Sequence, residues 1–159
     1  MVSHTKVAFV LTLGFAGLFG GAAQAQSFHQ IDRLAVQLQR QARELHREAH
    51  THFRPTPQYQ HLERDLSEID RLAAHIHQLV DRRAGLDHVR AEVTKLDRLY
   101  HHAEEVIAGL ASYRQIDRRT LDHFRRDLAH VGRTIHQLED AVGHSGHSHG
   151  HDHGHGHDR

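Results

Sequence analysis

Residues 59–80 read YQHLERDLSEIDRLAAHIHQLV, and the spacing of their apolar side chains decides the fold. Tyr59, Leu62, Leu66, Ile69, Ala73, Ile76 and Val80 stand at alternating steps of three and four. A mean step of about 3.5 residues keeps one stripe of a helix turned toward a partner, as in coiled coils and helix bundles. The pattern continues upstream through Phe28, Ile31, Ala35, Leu38, Ala42, Leu45 and Ala49, then meets His52 where an apolar residue is due. Downstream it runs through Leu86, Val89, Val93, Leu96, Tyr100, Ala103, Ile107 and Leu110. A last segment gives Leu121, Phe124, Leu128, Val131, Ile135, Leu138 and Val142. Only His52 breaks these thirty positions, whereas a chain that is 38% apolar would fill about 11 of them by chance. Leu72, Leu79, Leu99 and Val106 widen the stripe on the second and third segments, which suits a bundle core better than a two-stranded seam. The expected fold is all-α: an antiparallel up-down-up-down four-helix bundle with a heptad-type core over residues 26–142.

The residues between the segments agree with four helices at about 28–53, 57–83, 87–112 and 118–142. Ser27 with Gln30 has the spacing of a capping box, and Pro55 stops the first helix. Thr56 and Pro57 restart the chain as cap and first helical residue. Gly85 is placed to close the second helix, Asp87 to cap the third, Asp117 to cap the fourth and Gly143 to end it. Connections this short force neighbouring helices antiparallel.

The chain has 159 residues, enough for one domain with tails. Its 20 Lys+Arg balance 20 Asp+Glu and form no basic block, which leaves no electrostatic footprint for nucleic acid. The absence of Cys excludes disulfides, thiolate metal sites, covalent haem and a lipoprotein anchor. Residues 1–25 have the pattern of a signal peptide. Val7 to Ala23 is uncharged, and Ala23-Gln24-Ala25 supplies a small-x-small cleavage site. The apolar run lies at the short edge of the roughly 17–25 residues that span a bilayer. Gly14, Gly17, Gly20 and Gly21 weaken it further as an anchor. The expectation is an exported protein, periplasmic or secreted, beginning at Gln26 and without stable membrane insertion after cleavage.

The unusual number is 21 histidines. Residues 143–159 form a tail carrying His144, His147, His149, His151, His153, His155 and His157 among Gly, Ser and Asp, with Asp152 and Asp158 as oxygen donors. Without an apolar residue to bury, such a segment is expected to be disordered. Neutral imidazole binds zinc, nickel, cobalt and copper(II), and glycine lets a chain wrap several rings around one ion. The tail resembles, over about 15 residues and in composition, the histidine-rich extensions of nickel- and zinc-handling proteins such as hydrogenase nickel chaperones and metal-transporter loops. That resemblance implies contact with metal rather than a particular pathway.

With the seam labelled a and d, His29, His50, His101 and His136 fall at b. His61, His75, His88, His102, His123 and His130 fall at c, His46 and His77 at e, and His52 alone at d, where a partly buried polar end-residue is expected. Positions b and c face water in such a bundle. No Glu-x-x-His pair serves a di-iron centre and no His-Glu-x-x-His a zinc protease, so no catalytic residue and no enzymatic activity are expected. His46 with His50 can chelate one ion across a helical turn. His77 with Asp81, His88 with Glu92, His101 with Glu105 and His123 with Asp127 share that spacing. His29, His75, His77, His88 and His136 gather at the pole from which the tail leaves, where the tail could complete metal sites.

The leading expectation is a non-enzymatic protein that buffers, delivers or senses a divalent transition ion (Zn, Ni, Co or Cu). Its partners would be metal ions, with an envelope metal transporter or a second copy of the chain behind them. The alternatives are a helical interaction or stress module of the envelope with incidental histidines, and an acid sensor whose bundle loosens as imidazoles gain charge.

Overall fold

The computed structural model describes residues 19–111, 113 and 116–143; residues 1–18 and 144–159 lie outside them. Among the described residues every regular element is helical: α1 (Phe19–His52), α2 (Tyr59–Asp81), α3 (Leu86–Leu110) and α4 (Arg118–Gly143). Each helix packs on two neighbours, in the cyclic order α1, α2, α3, α4 and back to α1.

The core is the stripe read from the sequence. Ile31, Leu38, Leu62, Leu66, Ile69, Ile76, Leu96, Phe124, Ile135 and Leu138 are fully buried, and nearly all other seam residues are buried with them. Phe28 and Leu86 are only partly buried, and His52 is exposed; Phe53 takes its place in the core, 0% exposed, edge-on to Phe124 with ring centroids 4.9 Å apart. An α-helix turns every 3.6 residues, so a strict 3.5-residue stripe drifts, and an extra step of four from Ala49 to Phe53 restores it. Where α3 and α4 meet, Tyr100 lies against Gly132 so closely that a Cβ there would stand 2.4 Å from the ring.

Two polar residues are buried with the apolar stripe, Asp65 and Thr134. The Thr134 hydroxyl accepts from Gln37 Nε2 at 3.2 Å and lies 2.9 Å from Gln41 Oε1 and 3.1 Å from the His130 carbonyl, two acceptors for its single proton. Between α1 and α2, Asp32 meets His77, Arg43 meets Asp70 and His46 meets Ser67. Between α2 and α3, Asp65 meets His102 and His75 meets Glu92. Arg90 of α3 donates to the Val142 carbonyl of α4 at 3.3 Å.

Helix ends differ from expectation in four places. First, α1 begins at Phe19 rather than near 28, so Ser27 and Gln30 lie inside it and not at a cap. The stretch 22–26 is Ala and Gln, good helix formers with nothing to stop propagation. Second, Thr56 does not cap α2: its hydroxyl bonds the Phe53 carbonyl at 2.7 Å, closing α1 instead, and α2 starts at Tyr59. Third, α2 ends at Asp81 with Arg83, not Gly85, in the left-handed conformation (φ 51°). Ala84 N–H reaches the Leu79 carbonyl and Arg83 N–H the Val80 carbonyl, both at 2.9 Å, the paired bonds of a Schellman motif. Fourth, Gly85, extended at φ −59° and ψ 143°, takes the cap position of α3. Asp87 lies in the first turn of α3, bound to Arg90 at 2.6 Å. The Asp117 cap of α4 is as expected, with Thr120 N–H on Oδ2 at 3.2 Å.

Candidate metal centre

None of the thirteen histidines between 29 and 136 is buried. The core they surround is aliphatic and aromatic, so imidazole stands on the rim of the bundle rather than inside it. The rim is nevertheless ordered. In the labelling used above, the position before each a residue is g, and one g position on each helix is acidic: Glu48, Asp65, Glu92 and Asp127. Histidines at c reach the first three of these carboxylates across the helix seams. His123 Nδ1 lies 3.4 Å from Glu48 Oε1, His102 Nδ1 2.7 Å from Asp65 Oδ2, and His75 Nδ1 3.7 Å from Glu92 Oε1. A c position taken to face water is therefore close enough to lean on the next helix, and g closes the contact from the other side.

These carboxylates are partly withdrawn from water, with side chains 5% exposed for Asp65, 12% for Glu92 and 21% for Glu48. Burial pushes the Asp65 carboxyl above the usual carboxylate range, against the downward pull of His102. Glu48 is also raised, first by burial and then by the neighbouring Asp127, with His123 and His52 pulling it down. His77 moves in the basic direction because its ring nitrogen is hydrogen-bonded to Asp32 at 2.5 Å, with Asp81 adding attraction at 3.5 Å.

Three groups bring ligand atoms within 4.8 Å of one another among the described residues: Asp32, His77 and Asp81; Glu48, His123 and Asp127; Asp97, His136 and Glu139. Each spans two helices. His77 and His136, singled out from the sequence, belong to them; His29, His46, His50, His75 and His88 do not. His46 turns toward Glu63 (3.8 Å) and Ser67, while His50 lies edge-on to the Tyr59 ring at 6.1 Å.

Two pairs expected from spacing are replaced. His101 engages Asp97 at 3.4 Å and Glu104 at 3.0 Å rather than Glu105, and Glu92 meets His75 and Lys95 rather than His88. Helical neighbours at three residues compete with those at four, and a partner on the next helix competes with both. The expected pairs His77–Asp81 and His123–Asp127 do form, at 3.5 and 3.0 Å. Spacing along one helix did not identify the third members, Asp32, Glu48 and Asp97. The recurrence of an acidic residue at g, opposite histidines at c, is the signal that points to Glu48.

The tail ligands His144, His147, His149, His151, Asp152, His153, His155 and His157 lie outside the described residues. No described helix is long and apolar enough to cross a membrane. No protein-family model, no curated protein and no solved structure matches this chain.

Proposed function

We propose that this chain is an exported, non-enzymatic protein that holds divalent transition ions on its histidine-rich tail and on the outside of its helices, and so buffers, delivers or senses them. The observation that carries this reading is the outward display of imidazole: thirteen described histidines stand on the rim and none in the core. Bound metal would be held by mass action across many weak sites. Only neutral imidazole coordinates, so ions would be released as pH falls through about 6.5. Zinc, nickel, cobalt and copper all fit a donor set of imidazole and carboxylate.

The bundle is read as antiparallel, up-down-up-down. Supporting this, partners on α2 fall from His77 to Asp70 to Ser67 as those on α1 rise from Asp32 to Arg43 to His46. In that arrangement the ends of α2 and α4 lie beside the starts of α1 and α3, and the chain leaves Gly143 at the same end as His29, His77 and His88. Cleavage after Ala25 would trim α1 to begin at Gln26 without touching the buried stripe, whose first fully buried member is Ile31. A docking role for the bundle has less support, because Val36 is the one large hydrophobic residue exposed among those described.

Calorimetric titration with zinc, nickel and copper at neutral pH, on the full chain and on a chain ending at Gly143, tests the proposal. The full chain is expected to take up several ions and the truncated chain to lose most of that capacity. An unchanged count would remove the tail from the mechanism, and no uptake by either chain would end the metal reading.

A further inference from the structure

We propose that Glu48, His123 and Asp127, with His52 as fourth ligand, form one divalent transition-metal site that ties α1 to α4. The proposal rests on the metal-binding reading above for the class of ion, and not on the tail.

Of the three groups, this one alone has carboxylates from two helices converging on a single imidazole nitrogen. Glu48 Oε1 lies 3.4 Å and Asp127 Oδ2 3.0 Å from Nδ1 of His123. Zinc-type bonds of about 2.0–2.2 Å in a tetrahedral arrangement separate ligand atoms by about 3.3 Å, so an ion between them needs only small rotations of the side chains. In the group at Asp32, by contrast, the two carboxylates take opposite nitrogens of the His77 ring, at 2.5 and 3.5 Å, so they do not converge on one donor atom. In the third group only Glu139, on the same helix, is within hydrogen-bond reach of His136, at 3.1 Å.

The spacing on each helix is that of a chelate. Glu48 and His52 are four apart on α1, and His123 and Asp127 are four apart on α4. Glu48, His52 and His123 line one cleft together with Arg119 and Thr120, which leaves His52 room to turn onto an ion. Two carboxylates and two neutral imidazoles match the charge of a divalent cation, and Arg119 is the group that opposes it. The partly withdrawn Glu48 carboxylate next to Asp127 is a local excess of negative charge that a cation relieves. Because 75 positions of chain separate Glu48 from His123, the set exists only in the folded protein.

Melting of the full-length chain in chelator and in Zn2+ tests the site. An ion bound only by the folded state raises Tm, whereas an ion held equally by folded and unfolded chains leaves it unchanged. At free Zn2+ about a hundred times Kd, Tm is expected to rise by about 5–10 °C. His123→Gln and Glu48→Gln should each remove most of that rise, and a full-length variant with its seven tail histidines changed to Ser should keep it. A rise that persists unchanged in both single variants, or is missing from the wild-type chain, overturns the site. Should a single variant unfold in chelator, Co2+ titration of the tail variant reads the site directly. Visible absorption of a four-coordinate ion saturating at one equivalent is expected, and its absence overturns the proposal. A tail that takes no ion while the rise persists supports this site and removes only the tail.

Discussion

Arg83 shows how far a single residue can depart from its own preference when the chain around it is satisfied. At φ 51° it pays the steric cost of the left-handed region, yet the two hydrogen bonds of the α2 terminus are formed. The sequence offers glycine two positions later, at Gly85, and a reader of spacing assigns the turn there; the geometry spends that glycine on an extended residue ahead of α3. The assignment fails because backbone sign is set by where the last intrahelical bond closes, which composition does not encode. Replacing Arg83 with Gly is expected to stabilise the protein by about 0.5–1 kcal/mol, the relief of left-handed strain less the added entropy of the unfolded chain. The midpoint of urea unfolding should move upward accordingly; a lower midpoint would show that the arginine side chain contributes more than its backbone costs.

At the scale of the element, the end of α1 is where the repeat and the helix part company. Four helices, their order and nearly every core residue were legible from steps of three and four, because burial on one face of a helix is what that spacing means. His52 was assigned to the seam and Phe53 was not, since counting in strict 3.5-residue steps ignores the drift of a straight helix. Truncation to alanine separates the two. Phe53→Ala should cost about 3–5 kcal/mol through loss of its packing on Phe124. His52→Ala, in chelator, should stay within about 0.5 kcal/mol of the wild type. Equal costs at the two positions would restore the uninterrupted seam. The candidate site was legible only in halves, as the pair His123–Asp127 along one helix. Its other half, Glu48, comes from α1: its acidic g position marks it as a candidate, but its pairing with His123 follows only from which helices pack together.

For the whole molecule, the ties between helices are made largely by imidazole: Glu48–His123, Asp65–His102, Glu92–His75, Asp32–His77 and Glu63–His46 all cross a seam. These contacts become ion pairs only when the ring is protonated. His77, raised above its ordinary value by Asp32, contributes stability that is complete below about pH 6.5 and is lost as pH rises through its higher folded value. Glu48 and Asp65, raised by burial, act in the same sense, since their charged forms are disfavoured by folding and each gains as pH falls through its folded value. In chelator, Tm is therefore expected to rise as pH is lowered from 8 to 6, and His77→Gln to flatten part of that rise. A Tm that falls over this interval, equally in both proteins, would mean that accumulated positive charge outweighs the pairs and would revive the acid-loosening alternative.

Thr134 carries a consequence for alignment. A run of similar aliphatic heptads is nearly indifferent to sliding by seven residues, because each shift puts one Leu or Ile where another had been. The Thr134 hydroxyl, sunk in that run and clasped by Gln37 and Gln41 one turn apart, is not indifferent: a heptad toward the start of α1 it would keep one amide, Gln30, but find Leu34 in place of the other, and a heptad the other way it would face Glu44 and Glu48. One small knot of amides and a hydroxyl thus works as a ratchet tooth against slippage toward the start of α1, a direction that greasy contact alone would tolerate.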